Sequence, residues 1–283
     1  MSRFRLVSTS VLAIAFGVAA CSLTTSLDGY SGAVPPSEAG NDAADATTDA
    51  DADADAGGGK DGGRFCASLT PSPTFCDDFD EEGPFTPWVE TRVNAGSTIT
   101  RDHGAFRSAP SSLLTVSQGS AMGGGAAFLR LTSPSAVRRA RFAYDLRVDA
   151  RDPQTGYAEV SYLRFGGADK VYAFYVRLFH DPARTTAFTA EAYLPDGGIP
   201  QHNVNLAGDP KFTDWTRIVV DVDLRTAPHV TVTVDGALAG ETTLEPSLYP
   251  PSVATVEPGV GYAGSPAGAW KLRYDNVAVD WEP

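Results

Sequence analysis

Tyrosine and arginine side chains recur at alternate positions in three segments of the chain, together with one glutamate. Alternate residues of a β-strand point to the same face, so these side chains are predicted to share one surface. That surface consists of Tyr162, Arg164, Tyr175, Arg177, Glu191 and Tyr193. Aromatic rings stack on sugar faces and arginine pairs bidentately with carboxylates, so the set would suit a groove for an anionic glycan.

The same alternation is also what a solvated sheet surface would show. Arg, Glu and Tyr side chains on an exposed sheet commonly form cross-strand pairs that need no ligand. The binding interpretation and the solvated-surface interpretation therefore both remain open at this point.

Two glutamates on predicted strands could in principle act as a catalytic pair. By the alternation, Glu159 is expected on the face of Leu163 and Phe165, and Glu191 on the opposite face. A retaining glycosidase needs its two carboxyl groups about 5 to 5.5 Å apart. Glu159 and Glu191 are therefore not expected to meet, and no E-x-D-x-x-E run supplies another pair.

Motifs for other catalytic chemistry are missing from the sequence. It contains no GxSxG, HExxH or CxxC. A GxGxxG match at 259–264 leads into Ser265-Pro266 and not into a helix, so we interpret it as a glycine-rich bend. A non-catalytic domain is the favoured prediction.

Alternating apolar and polar residues dominate the second half of the chain, and turn-forming Gly, Pro, Asp and Asn separate the runs. The predicted strands are Arg141–Asp149, Tyr157–Phe165, Val171–Phe179, Thr186–Leu194, Trp215–Leu224, His229–Asp235 and Lys271–Trp281. Many half-buried antiparallel strands predict an all-β, two-sheet sandwich or jelly roll at 65–283. The alternative is two smaller β domains divided near Pro195–Gly208.

Cys66 and Cys76 lie close together around the turn-forming segment Leu69–Thr74. In an exported protein, two such cysteines are predicted to form a disulfide. A nucleophile or metal pair would need a nearby histidine, and all four histidines lie far downstream.

An acidic, low-complexity segment precedes the predicted domain. Residues 22–64 contain nine acidic and two basic side chains, which is −7 of the formal charge of −13. This segment lacks the apolar area that would offset its ordering entropy, so 21–64 is predicted to be a disordered tether. The overall acidity argues against a nucleic-acid partner.

The first twenty residues have the composition of a secretory signal. Arg3 and Arg5 precede the apolar run Val11–Ala20, which is too short for a transmembrane helix. The residues Val18-Ala19-Ala20-Cys21 resemble the lipobox of bacterial lipoproteins. This resemblance implies lipidation of Cys21, a lipid anchor as the only membrane contact, and a place on the outer membrane or cell surface. A cleaved signal with a chance cysteine is the alternative.

Three segments resemble the concanavalin A-like lectin/glucanase superfamily, especially its laminin G-like jelly rolls. They are Phe75–Asp80, the pair Trp215–Asp223 and Val230–Gly236, and the ending Trp270–Asp280. The resemblance implies two stacked antiparallel sheets, pairing of the first and last strands, and a glycan-binding face. The superfamily includes lectins, glycosidases, lyases and adhesion modules, so the fold does not choose among them.

The resemblance also implies a structural calcium ion where the first and last strands meet. Asp78, Asp80 and Asp275 would supply the hard oxygen ligands, although three solvated carboxylates would look the same in sequence. No other cofactor is expected.

The predicted function is non-catalytic binding of a polysaccharide, plausibly acidic, by the tyrosine and arginine surface. A polysaccharide lyase is the first alternative. Lyases of similar fold use an Arg-rich strand, a Gln-x-His segment and a Tyr, and here Arg177, Tyr175 and His202 would have to converge. Gln201-His202-Asn203 only distantly resembles such a segment. A structural or protein-adhesion domain is the second alternative.

Overall fold

A computed structural model describes residues 65–118, 125–151, 156–166, 171–247, 249–263 and 269–283. The predicted signal peptide, the lipidated Cys21 and the acidic tether lie outside these residues and stay predictions. No helix among the described residues is long and apolar enough to cross a membrane.

One short helix and fifteen strands make up the described part of the chain. They are α1 (Phe65–Ser68), β1 (Phe75–Asp77), β2 (Glu90–Val93), β3 (Thr98–Asp102), β4 (Ser112–Gln118), β5 (Ala127–Val137), β6 (Arg139–Ala150), β7 (Tyr157–Gly166), β8 (Val171–Phe179), β9 (Ala187–Tyr193), β10 (Gln201–Asn205), β11 (Thr216–Asp223), β12 (His229–Val234), β13 (Ala237–Thr243), β14 (Ser252–Ala263) and β15 (Ala269–Glu282). All seven strands of the main alternating runs are confirmed.

The strands form two antiparallel sheets. Sheet A has the order β13-β12-β11-β6-β15-β4-β3, with β1 also paired to β15. Sheet B has the order β10-β9-β8-β7-β14-β5-β2. The predicted pairing of the first and last strands is confirmed, since Phe75 lies opposite Val279. The all-β sandwich is therefore the fold of the described chain.

The alternating apolar side chains of both sheets meet in one continuous core. Its largest fully buried members come from sheet A (Phe142, Tyr144, Trp270, Tyr274) and from sheet B (Phe165, Tyr172, Phe174, Phe188). Burial of this apolar area is the main favourable contribution to folding. A single core spanning both sheets argues against the two-domain alternative.

The start of the domain is attached to sheet A by a covalent bond. Cys66 in α1 and Cys76 in β1 form a disulfide with a Cα–Cα distance of 5.7 Å, which confirms the predicted bridge. Next to it, Trp88 Nε1 donates a hydrogen bond of 2.6 Å to Asp77 Oδ2, and the Trp88 ring stacks on Phe79. The bridge therefore holds α1 against a packed aromatic corner.

The GxGxxG segment does not form the expected bend, because most of it continues as strand β14. The register with β7 shifts between Glu257 and Val260, the register with β5 shifts between Val253 and Thr255, and Gly259 has a φ of 133°. A side chain at Gly259 would collide with the backbone of Ala127. The glycines thus allow a bulged central strand to lie close to its neighbours.

Candidate functional site

The face of sheet B that points away from the core carries a connected set of polar side chains, which we call the polar face. All six residues of the predicted surface lie on it. Three tyrosines, two arginines and one glutamate belong to the set, and they come from β7, β8 and β9. On the opposite face of the same strands, side chains such as Phe174 and Phe188 are buried in the hydrophobic core.

A β-bulge in β7 corrects the predicted position of Glu159. Val160 lies opposite Val176 and Leu163 opposite Phe174, so two residues of β7 face one residue of β8. Ser161 adopts a φ of 57° at this point. The extra residue reverses the alternation, because side-chain direction has a period of two. Glu159 therefore lies on the polar face, on the same side as Glu191.

Arg177 is held in position by two groups on the polar face. Its Nη2 donates hydrogen bonds of 2.9 Å to Glu159 Oε1 and 2.7 Å to Tyr175 OH. Its guanidinium carbon lies 4.7 Å from the centre of the Tyr157 ring. The buried Nε has no hydrogen-bond partner among the described residues. Arg177 is thus oriented while part of its donor capacity is unused.

Glu191 is the buried centre of a neighbouring hydrogen-bond network. Tyr175 OH and Gln201 Nε2 donate to Glu191 Oε2 at 2.9 and 2.7 Å, and Tyr193 OH donates to Oε1. Only 1% of Glu191 is exposed. Since buried carboxylates need hydrogen bonds, this network fixes the tyrosine rings of β8 and β9 relative to each other.

The tyrosines of the polar face resist deprotonation. Burial and the nearby charges of Glu159 and Glu191 raise the pKa of Tyr175 well above its ordinary value. Burial and the hydrogen bond to Glu191 likewise raise the pKa of Tyr193. A phenolate beside these carboxylates would add a like charge in a poorly solvated place. These side chains therefore suit hydrogen bonding and stacking better than proton abstraction.

A second buried carboxylate, Glu257 of β14, binds two arginines. Arg130 Nε donates to its Oε1 at 2.8 Å, and Arg164 Nε donates to its Oε2 at 3.0 Å. Arg130 also forms an ion pair with Glu90, and Arg164 lies over the Tyr162 ring at 4.0 Å. Arg164 was among the predicted surface residues, whereas Glu257 and Arg130 were not. The glycines and proline of β14 hid its strand character, and β5 was not predicted as a strand.

The described residues of the polar face line several grooves, including the following two. The first, the Arg177 groove, has a volume of about 660 Å³ and is lined chiefly by Tyr157, Arg177, Phe179, Arg184, Asn203 and Asn205. The second, the Arg130 groove, has a volume of about 340 Å³ and is lined chiefly by Arg92, Asn94, Phe128, Arg130, Arg164 and Gly261. Of the predicted surface residues, Arg177 and Arg164 line these grooves, whereas Tyr162 and Tyr175 are buried between them.

The groove residues Asn203 and Asn205 were missed because β10 was not predicted as a strand. The register places Gln201 opposite Glu191 and Asn203 opposite Thr189, and both pairs are hydrogen-bonded. His202 lies opposite the core residue Ala190. Alternation therefore turns His202 away from the polar face, so His202 does not converge with Arg177 and Tyr175.

The three aspartates expected to hold calcium do not form a common site. The described residues contain no group of three or more His, Cys, Asp or Glu that could hold a metal ion. Asp275 instead accepts hydrogen bonds from the backbone amides of Arg107 and Ser108 at 2.7 and 2.9 Å. Asp78 and Asp80 accept long bonds from the amides of Cys66 and Ser111, both 3.4 Å. Their carboxylate oxygens accept hydrogen bonds from backbone amides, and the predicted calcium site is not supported.

No protein-family model matches this sequence, and no curated protein matches it. Among solved structures, the chain is similar to endo-beta-1,4-glucuronan lyase from the fungus Trichoderma reesei, with a TM-score of 0.58, 16% identity, and coverage of 74% of this chain and 95% of that chain. It is also similar to "Cellulose induced protein, Cip1", with a TM-score of 0.50, 14% identity, and coverage of 72% and 96%. At these identities the likeness shows a shared β-sandwich fold.

Proposed function

We propose that the polar face of sheet B binds an acidic polysaccharide and does not cleave it. The observation that carries the proposal is the orientation of Arg177 by Glu159 and Tyr175 at the edge of an open groove. A guanidinium fixed at the edge of a groove suits a sugar carboxylate, because charge-assisted hydrogen bonds from arginine to a carboxylate are strong.

The rest of the Arg177 groove supports the same ligand class. Tyr157 and Phe179 supply ring surface for stacking on sugars, and Asn203 and Asn205 supply amides for hydroxyl groups. Arg184 adds a second positive charge, with its guanidinium carbon 3.9 Å from the centre of the Phe179 ring. Two arginines beside one partly buried glutamate leave the groove attractive to anions, although the whole chain is acidic.

A polysaccharide lyase is the rival function, and one feature of the groove favours it. Arg177 and Asn203 could neutralise a uronate carboxylate while the Tyr157 phenol serves as acid or base. Against this, burial raises the pKa of Tyr157, and neighbouring Glu159 raises it further. Tyr175 is fully buried and His202 points away from the polar face. The structural likeness to a glucuronan lyase makes cleavage the activity that the experiment must exclude.

The test combines retention with product detection. The purified domain is incubated with an array of neutral and acidic polysaccharides, and ultraviolet absorbance reports any new unsaturated uronate. We expect retention of acidic polymers without product, and loss of retention in Arg177→Ala. Arg141→Ala is the matched control, because Arg141 is an exposed arginine on strand β6 of the other sheet. Thermal melting of both variants checks that they fold.

The other outcomes identify the alternatives. Product that accumulates with wild-type protein and disappears in Tyr157→Phe would make the domain a lyase. No retention of any glycan would leave a structural or protein-adhesion domain.

We also propose that the domain is exported and anchored to the outer membrane or cell surface through lipid on Cys21. The support is the signal-like N-terminus with Val18-Ala19-Ala20-Cys21, followed by the acidic segment up to residue 64. Many copies on one surface would raise the avidity for a polymer. Mass spectrometry of the mature N-terminus tests the anchor, and an unmodified Cys21 in a soluble fraction would remove it.

A further inference from the structure

The Arg130 groove lies on the same face as the Arg177 groove but on different strands. Arg177 belongs to β8, whereas Arg130 belongs to β5 and Arg92 to the edge strand β2. We propose that the Arg130 groove is a second anion-binding subsite, and that one linear acidic glycan crosses the strands of sheet B to occupy both grooves. The inference rests on the proposed function and adds the path and minimum length of the ligand.

Charge supports an anion at the second groove. Three arginines, Arg92, Arg130 and Arg164, line it. Two carboxylates, Glu90 and Glu257, pair with them. A positive excess therefore remains on a protein whose net charge is −13. Such a local excess attracts polyanions while the rest of the surface repels them.

The arginines of the second groove are held in fixed directions by a buried partner. Glu257 is fully buried, and each of its oxygens accepts a hydrogen bond from a different arginine. Arg164 uses its Nε for Glu257 and stacks its guanidinium on Tyr162. Its two Nη groups are thus presented by a preorganised side chain, which lowers the entropic cost of binding an anion. Arg92, on the exposed edge strand, adds a third charge.

Closely packed aromatic rings lie between the two grooves. The ring of Tyr162 lies directly over Gly261, where an added Cβ would approach the ring to 2.1 Å. On the other side, Tyr162 packs against Tyr175 with ring centres 4.6 Å apart. These two rings are buried, and Arg164 covers that of Tyr162, so they form a packed layer between the Arg177 groove and the Arg130 groove.

Strand spacing sets the length of ligand required. β8 and β2 are separated by four strand intervals in sheet B, which is about 19 Å at the usual spacing. A single sugar acid cannot reach both grooves. A chain of several uronate residues can, and linking the two contacts makes the second one effectively intramolecular.

The experiment measures affinity against ligand length. Oligomers of glucuronate, galacturonate and alginate, each in a defined length series, are titrated into the whole protein by calorimetry. We expect affinity to rise by about tenfold, equivalent to about 1.4 kcal/mol, once the oligomer spans both grooves. Arg92→Gln should remove this gain, while short oligomers should still bind at the Arg177 groove. The matched control Arg141→Gln, on the other sheet, should keep the gain.

Other results separate this inference from the proposed function. If wild-type protein binds short and long oligomers equally, or if Arg92→Gln keeps the gain with length, the second subsite is wrong while glycan binding stands. If the gain disappears in both Arg92→Gln and Arg141→Gln, the effect is general charge and the subsite is again wrong. If no oligomer binds, both proposals fail.

Discussion

Glu159 and Arg177 form an ion pair across β7 and β8, with Glu159 Oε1 2.9 Å from Arg177 Nη2. Their side chains are only 10% and 15% exposed, so the pair is poorly solvated. The pair exists because the bulge at Ser161 turns Glu159 to the polar face. The backbone conformation of β7 therefore places a negative charge beside Arg177 in its groove.

Removing the charge of Glu159 should weaken folding and strengthen anion binding. Glu159→Gln leaves Arg177 without its ionic partner, and breaking one side of a partly buried pair costs about 1 to 3 kcal/mol. The amide oxygen can still accept the hydrogen bond from Arg177 while the competing negative charge is lost, so acidic oligosaccharide should bind several-fold more tightly. Denaturant unfolding and titration calorimetry measure the two effects. Glu241→Gln, at an exposed position of β13, is the control and should change neither. Weaker anion binding in Glu159→Gln would show that the pair positions Arg177 and does not compete with the ligand.

A methyl group at Gly261 should disturb the polar face. The added Cβ would approach the Tyr162 ring to 2.1 Å, so the ring must move. We expect Gly261→Ala to lower the free energy of unfolding by about 1 to 3 kcal/mol through overpacking, and to weaken glycan retention. Gly156→Ala is the control, because a Cβ at Gly156 meets nothing within 4 Å. Equal stability of the two variants would mean that Tyr162 is not held against β14.

Loss of the disulfide should destabilise the domain without affecting ligand binding. Replacing Cys66 and Cys76 by serine removes a cross-link between residues that are 10 positions apart. In the chain-entropy model this costs about 2 to 3 kcal/mol. Neither groove lies at the bridge, so the affinity for acidic glycans at a temperature well below melting should stay the same. Chemical unfolding of the double variant checks the first part, and glycan titration checks the second.

The stability of the domain should depend on the ionisation of Asp275. Burial raises the pKa of Asp275 to about 7, above its ordinary 3.8, although backbone amides of Ser108, Arg107 and Asn276 oppose the rise. A raised pKa means that the folded state favours the protonated form. The contribution of Asp275 to the free energy of unfolding is therefore fully present below about pH 4. It is lost as the pH rises towards 7, and the loss is at most about 4 kcal/mol.

The comparison with Asp275→Asn isolates this group. We expect the unfolding free energy of the wild-type protein to fall relative to that of Asp275→Asn as the pH rises from 4 to 7. The variant lacks the titrating group, so other carboxyl groups cancel in the difference. If the unfolding free energy of the wild type instead rises relative to that of the variant over this range, the amides stabilise the carboxylate more than burial penalises it.

Most of the sandwich can be predicted from the sequence. The alternation of β8 predicts Val171–Phe179, which are its observed bounds, and the resemblance of the two ends of the domain predicts the pairing of β1 with β15. The disulfide between Cys66 and Cys76 is predicted from their short spacing and from the expectation that the chain is exported. These features are accessible because hydrophobic alternation, turn residues and short cysteine spacing are local properties of a chain.

The arrangement of the polar face, in contrast, depends on contacts between distant parts of the chain. The bulge at Ser161 reverses the parity of β7, and no pattern within β7 reveals it, because a bulge depends on the register with β8 and β14. Glu257 meets Arg130 from 127 residues away. Strand order brings β14 and β5 together, and pairing between distant strands is set by the packing of the whole core, which local alternation does not encode.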